Sequence, residues 1–480
     1  MMRISLLGKR LAGLLFILTT GAATAQSSLT TPEGSWAGQL QLPGAALRLV
    51  LHVKAAAAGA YTATLDSPDQ GARGIPATRV IWKNDSLLLE VGSIGGAYAG
   101  KLDADSLVLR GQWRQGGQGL PLNLRKTDAA ALAPKRDQNP KKPYPYREEE
   151  VSYASTAAGV TLAGTLTLPE GKGPFPAVLL ITGTGPQNRD EELMGHQPFL
   201  VLADYLTRRG IAVLRVDDRG VGKSTGDFGA ATSRDFADDA LAGVNFLKSR
   251  KDIRPRQIGL VGHSEGGLIA PLVSTRSKDI AFMVLMAGPG VAGEAIIQRQ
   301  TELIMKANGM APEGIQSSLD LQARLFEILR QEPDAARAEA KMTAAVQQAT
   351  AAMTDAQKQA SGLSGEGPRM LAKRLNTPWF RFFLSYDPKP TLRQVKVPVL
   401  AVNGEKDLQV TPRENLAAIA AALKEGGNRQ VQTQELPGLN HLFQTAQTGS
   451  PAEYAQIEET IAPAALQPVG DWIAGQVGKK

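Results

Sequence analysis

Residues 260–267 read Leu-Val-Gly-His-Ser-Glu-Gly-Gly, and their types and spacing suit nucleophilic chemistry. A serine hydroxyl is a poor nucleophile unless it stands clear of the backbone beside a base. Here Gly262-His263-Ser264-Glu265-Gly266 follows an apolar run, Ile258 to Val261, and precedes a helix-like stretch, Leu268 to Ser274. A G-x-S-x-G at a strand-to-helix junction strains the serine backbone and lifts its hydroxyl over the start of the helix. Small residues two positions either side let strand and helix cross closely. Ser264 is therefore the candidate nucleophile. His263 is expected to point sideways, out of the attack path.

The chain has four histidines, so the search for a base is short. His52 falls among short β-like runs, and His196 follows the loop after the first central strand. His441 lies in Pro437-Gly438-Leu439-Asn440-His441, just after the last strand-like run and on the same edge as Ser264. His441 is the candidate general base. Its orienting carboxylate should come from the end of the preceding strand, which runs into Asn403-Gly404-Glu405-Lys406-Asp407. Asp407 is the candidate acid, with Glu405 as the alternative. A tetrahedral intermediate also needs two backbone N–H donors. One is the N–H of Glu265. The other belongs to Gly183-Thr184-Gly185-Pro186-Gln187-Asn188-Arg189-Asp190, with Thr184 the first choice and Gly185 the second.

Two features lead nowhere. Gly220-Val221-Gly222-Lys223-Ser224 resembles half a phosphate loop, but Asp217 stands where the full motif needs glycine. Asp218-Arg219-Gly220 reads instead as a structural turn. Asp190, Glu191 and Glu192 show no ligand spacing with histidine, so no metal site is expected, and nothing calls for a cofactor.

The positioning elements follow from the same pattern. Ala177 to Thr182, Ile211 to Val216, Ile258 to Val261, Phe282 to Met286, Val399 to Val402 and Val431 to Leu436 read as continuous apolar runs, suited to parallel strands covered on both faces. Helical patterns separate them, as in Phe199 to Arg209 and Asp235 to Leu247. Two candidate strands, Val151 to Tyr153 and Thr161 to Leu168, open this domain, which spans residues 148–480. The expected fold is a doubly wound, mostly parallel α/β sheet. More than a hundred residues separate Met286 from Val399. They imply a helical cap over about 293–390, its body running from Gly293 to Leu375. Its return segment holds Trp379, Phe382 and Phe383, candidates for the substrate pocket, with cap-to-sheet packing as the competing reading. Residues 30–127 predict a small antiparallel β-barrel or sandwich, and Gly34-Ser35-Trp36 echoes Gly111-Gln112-Trp113. There Trp36, Trp82 and Trp113 read as core aromatics before a carbohydrate platform. A Pro-rich linker, 128–147, joins the two domains.

Residues 148 to 475 resemble the serine α/β-hydrolase superfamily. Within it they are similar to secreted bacterial esterases related to the dienelactone hydrolase and prolyl oligopeptidase branches. The matching segments are Leu162-Ala163-Gly164-Thr165-Leu166, the 183–190 loop, Asp218 to Ser224, Gly262 to Gly267, and the acid and histidine loops. The order Ser264, Asp407, His441 is that superfamily's order. The resemblance implies hydrolysis of a small-molecule carboxylic ester through an acyl-enzyme. The long cap and the lack of a His-Gly-Gly-Gly oxyanion motif are departures. A serine peptidase on the same fold is the second reading, although the oligopeptidase relatives' propeller would not fit the roughly 100 residues ahead of this domain. A catalytically inactive ligand-binding protein is the third.

Composition narrows the setting. Arg3, Lys9 and Arg10, the apolar run Leu11 to Thr20 and Ala23-Thr24-Ala25 read as an export leader over residues 1–25, too short to anchor in a bilayer. The expected product begins near Gln26, lacks an integral membrane segment and is periplasmic or extracellular. The formal charge of +7 falls to +4 without the leader and is scattered, which argues against nucleic acid as a partner. There is no cysteine, so disulfides and thiolate chemistry are excluded. Oligomeric state is left open.

Overall fold

The computed structural model describes residues 31–42, 45–68, 72–128, 135–155 and 159–478. The leader-like residues 1–25 lie outside them. Among the described residues, no helix is long and apolar enough to cross a membrane.

The first domain is one nine-stranded antiparallel sheet. Its strands are β1 (Gly34–Leu42), β2 (Ala45–Ala55), β3 (Tyr61–Ser67), β4 (Ala72–Pro76), β5 (Arg79–Lys83), β6 (Ser86–Val91), β7 (Gly96–Asp103), β8 (Val108–Gln115) and β9 (Gln118–Thr127). The order is β4-β3-β2-β1-β9-β8-β7-β6-β5. First and last strands thus pair at the centre, while the second Gly-x-Trp, Gly111-Gln112-Trp113, lies on β8, one strand before the last. The sheet curls until β3 approaches β5. Period-2 alternation turns Trp36, Leu40, Leu49, Leu51, Leu65 and Trp113 inward, and all are buried. Trp36 and Trp113 are core aromatics, while Trp82 is only partly buried against that core.

The second domain carries an eight-stranded sheet of β10 (Arg147–Ser155), β11 (Val160–Leu168), β12 (Phe175–Ile181), β13 (Ala212–Val216), β14 (Ile253–His263), β15 (Ile280–Met286), β16 (Val399–Gly404) and β17 (Val431–Leu436). The order is β10-β11-β13-β12-β14-β15-β16-β17. Pairs from β13 through β17 are parallel, while β10 and β11 pair antiparallel. This is the expected α/β-hydrolase sheet. Helices α1 (Pro198–Arg208) and α12 (Pro463–Val477) cover one face. Helices α2 (Ser233–Ser249), α3 (Glu265–Ser274) and α11 (Pro412–Glu425) cover the other. Along β12, Val178 and Leu180 face the first layer, and Ala177, Leu179 and Ile181 the second. β17 corrects one expectation. It is half exposed, because it is an edge strand carrying Gln432, Gln434 and Glu435.

Between β15 and β16 lies the helical cap: α4 (Gly293–Ala307), α5 (Pro312–Gln331), α6 (Ala335–Ala349), α7 (Asp355–Ala360), α8 (Gly367–Leu375), α9 (Pro378–Ser385) and α10 (Lys389–Leu392). It has its own core, built on Phe326, Leu329, Met342, Val346, Phe380 and Leu384. Of the linker, residues 135–147 are docked rather than free. Arg136 donates to the carbonyls of Ile457 at 2.8 Å, Met194 at 3.1 Å and Ala455 at 3.1 Å. Arg147 already belongs to β10.

Candidate active site

Ser264 sits between β14 and α3 with φ 51° and ψ −117°, a conformation that L-residues rarely adopt. Its N–H donates to the Met286 carbonyl at 2.8 Å, which ties the turn to β15. The flanking glycines are sterically required. A Cβ on Gly262 would lie 2.1 Å from the Gly266 carbonyl oxygen, and one on Gly266 would lie 2.1 Å from that of Ile181. Ser264 is partly exposed while its neighbours 258–263 and 265–273 are nearly all buried, so the strain presents one hydroxyl to a cavity.

That cavity has a volume of about 540 Å³. Ser264, His441, Gly183, Thr184 and Glu265 meet there beneath Trp379, Phe380 and Phe383 of α9 and Ile296, Ile297, Ile304 and Met305 of α4. His441 is buried, and its Nδ1 lies 2.8 Å from Asp407 Oδ2. The other ring nitrogen, Nε2, is left to serve the serine. The carboxylate is held in turn. Asp407 Oδ1 accepts the N–H groups of Gln409 and Val410, each at 2.8 Å, and Oδ2 accepts Asn403 Nδ2 at 3.3 Å. The alternative acid, Glu405, points elsewhere: its Oε2 accepts the Gly438 N–H at 2.8 Å and braces the base-bearing loop.

Of the oxyanion candidates, Glu265 and Thr184 line the cavity and Gly185 does not. Gly185 has φ 98° and serves the turn. The Gly183 N–H is spent on Glu191 Oε1 at 2.7 Å, so of the two candidates on that loop Thr184 is the one at the cavity wall. Trp379 and Phe383 stand at the cavity wall, their rings stacked at 5.3 Å between centroids. Phe382 does not reach it. A helix turns each successive side chain by about 100°, so Phe382 faces away, stacked on Tyr386 at 5.2 Å with Arg234 at 5.4 Å. Phe380 takes its place.

Two acids in the wall escaped sequence reasoning. The Glu265 carboxyl is buried, and its Oε1 accepts Ser233 Oγ at 2.6 Å and Trp379 Nε1 at 2.7 Å. Burial raises its pKa, since every partner is neutral. Glu191 lies 3.0 Å from His263 Nδ1, and His263 Nε2 lies 3.0 Å from the His441 carbonyl oxygen. Burial would depress the His263 pKa, but the Glu191 carboxylate overrides this and raises it. His263 does point sideways as expected, and it joins the oxyanion loop to the base loop through Glu191. The remaining histidines are structural. Burial lowers His196 to about 4 beside Thr460 and Tyr454, and His52 bridges Ser35 and Asp66. The 220–224 segment is the expected turn: Ser224 Oγ donates to the Asp217 carbonyl at 2.7 Å and Lys223 Nζ reaches Glu150 at 3.1 Å.

A family model described as serine aminopeptidase, S33, matches residues 197–445, just over half of the chain and the span holding Ser264, Asp407 and His441. The chain belongs to this family of serine hydrolases. An esterase FrsA-like model matches residues 123–233, which include the oxyanion loop. Esterase EstD of Thermotoga maritima is 28% identical over 295 residues, covering 61% of each chain. The putative hydrolase YtaP of Bacillus subtilis is 32% identical over 118 residues, 21% of this chain and 38% of its own. The chain thus spans less than two thirds of either relative's length. Among solved structures, the Pyrococcus furiosus esterase Pf2001 is similar at 16% identity and a TM-score of 0.41, over 70% of this chain and 90% of that one.

Proposed function

We propose that this protein hydrolyses small-molecule carboxylic esters through an acyl-enzyme on Ser264. One observation carries the reading: a strained serine and a carboxylate-bound histidine open onto a single, largely apolar cavity. His441 Nε2 takes the hydroxyl proton as Ser264 Oγ bonds to the ester carbonyl carbon. Asp407 holds the ring and steadies the imidazolium. The N–H groups of Glu265 and Thr184 receive the oxyanion. The imidazolium then gives its proton to the departing alcohol, and a water repeats the sequence to free the acid.

The family description raises an aminopeptidase as the second reading. Such an enzyme needs an available carboxylate for the substrate's ammonium group. The two acids that line the cavity, Glu191 and Glu265, are each committed, one to His263 and the other to Ser233 and Trp379. This favours esters. Matched p-nitrophenyl esters and amino-acyl p-nitroanilides test it. We expect turnover of short-chain esters, little of the anilides, and a loss on the order of 10⁴ to 10⁶ in kcat in Ser264→Ala. Efficient anilide cleavage would favour the peptidase. Ester activity of Ser264→Ala within tenfold of wild type would remove Ser264 from the mechanism. The leader-like opening supports an exported enzyme, tested by sequencing the N-terminus of protein secreted by a bacterial host.

A further inference from the structure

The β-domain holds a second cavity, of about 650 Å³ against 540 Å³ at the catalytic site. Its origin is in the strand register. Trp36 pairs across from Leu51, and with Val53 and Tyr98 it fills one end of the curled sheet, all almost wholly buried. Toward the other end Leu40 pairs with Leu47. Leu40, Leu49, Leu65, Ile75, Trp113 and Leu120 surround open space instead.

The chemistry of the wall selects the ligand. Among the described residues, no charged side chain lines the cavity. The polar atoms of Trp113 and Gln115 are already satisfied: Trp113 Nε1 donates to Gln115 Oε1 at 3.1 Å, and Gln115 Nε2 donates to the Ile94 carbonyl at 2.9 Å. Among the described residues a carboxylate or phosphate would meet no counter-charge, and Ser67 and the rim residues Gln118 and Gln359 are few partners for the many hydroxyls of a sugar. An alkyl chain brings no polar group that needs a partner and removes the apolar wall of Leu40, Leu49, Leu65, Ile75 and Leu120 from water. The volume is that of pockets holding whole small molecules, and the mouth of a curled antiparallel sheet is a common place for them. The setting adds a second point. Gln359 of α7 lines the rim, so the cap that roofs the catalytic cavity also borders this one.

We propose that the β-domain binds a neutral, alkyl-chain ligand of the fatty-alcohol or long-chain-ester class in this cavity. The site is separate from the catalytic one and does not depend on the reading of Ser264.

The test uses the full chain and the neutral fluorophore N-phenyl-1-naphthylamine, with dodecanol and laurate as competitors. Ile94→Trp and Gln118→Trp each place bulk at the rim. Gln118 is exposed, so its replacement should fold even if Ile94→Trp does not. Ile304→Trp controls for probe in the catalytic cavity. We expect saturable binding, displaced by dodecanol more readily than by laurate. The Kd should rise tenfold or more in a folded rim variant and stay within twofold in Ile304→Trp. Hydrolysis of a short-chain ester by the rim variants should match wild type. Absence of saturable binding, equal Kd in wild type and a folded rim variant, or better displacement by laurate would overturn the proposal. Binding is read without turnover, so an inactive enzyme that still binds the probe would discredit only the esterase reading.

Discussion

At the scale of single residues, the site divides into groups that react and groups that hold them. Asp407 and Glu405 make the division testable. Asp407 bonds the His441 ring, whereas Glu405 bonds a backbone N–H three residues before it. Asp407→Asn should therefore lower kcat by several orders of magnitude, while Glu405→Gln should stay within about tenfold; the opposite ranking in ester turnover would exchange their roles. The candidate residues Ser264, Asp407 and His441 could be picked out because each stands in a local pattern: an elbow, a strand end, a loop after a strand. Glu191 and Glu265 were not. Glu191 lies 72 positions from His263, and Glu265 lies 114 from Trp379, so no window of sequence contains either pair. Phe382 was misplaced for a related reason, since aromatic density does not say which side of a helix faces a cavity. The Glu191–His263 pair also sets a pH dependence. A raised folded pKa means that its stabilisation is complete below the imidazole's ordinary 6.5 and is lost as pH rises through the raised value. Urea unfolding of wild type and Glu191→Gln, from about pH 5 to about pH 10, should show a stability gap widest in acid and narrowing toward alkali. A gap independent of pH would mean that His263 is neutral in the folded protein.

At the scale of elements, α9 does the most with the least chain. Its eight residues close the catalytic cavity with Trp379, Phe380 and Phe383, and its Trp379 N–H reaches Glu265 on the first turn of α3. The residue after the candidate nucleophile is thus joined to the cap by a hydrogen bond. The sequence announced a cap through an overlong connection, but the bond's partner was hidden, because Glu265 was read for its N–H and not for its side chain. Trp379 is both wall and packing, and two substitutions separate these roles. Trp379→Phe keeps the stack on Phe383 and removes only the N–H donor, so chain-length preference should hold while kcat falls by up to about tenfold, in line with a hydrogen bond of roughly 1 kcal/mol. Trp379→Ala removes the wall, so kcat/KM for long acyl esters should rise relative to short ones. The ring is only partly buried, so the Tm cost should fall below that of a full core deletion, about 3–5 kcal/mol. An unchanged preference in Trp379→Ala, with a large drop in Tm, would assign this residue to packing alone.

At the scale of the whole molecule, two cores are joined by a segment whose sequence reads as a Pro-rich linker. No local pattern shows that Arg136 is an anchor. Its guanidinium gathers three carbonyls from two distant stretches, Met194 before α1 and Ala455 and Ile457 before α12. Those stretches flank His196, which bonds the Tyr454 carbonyl, and Gln444, three residues beyond the candidate base. Arg136 therefore closes a layer beneath the catalytic edge rather than merely linking two domains. Planar, multi-donor guanidinium geometry suits this work, and lysine could not reproduce it. Arg136→Ala should cost about 1.5–3 kcal/mol, as expected for hydrogen bonds from a charged donor, and should lower the Tm of the catalytic domain. Its effect on kcat/KM for a short ester should be small, because the side chain touches neither Ser264, His441 nor their cavity. Arg136→Lys should recover only part of the loss. The decisive measurement is calorimetry on wild type and Arg136→Ala. If only the β-domain transition moves, the anchor belongs to that domain; if only the catalytic transition falls, the segment is part of the hydrolase fold, and residue 135 rather than 148 marks where that fold begins.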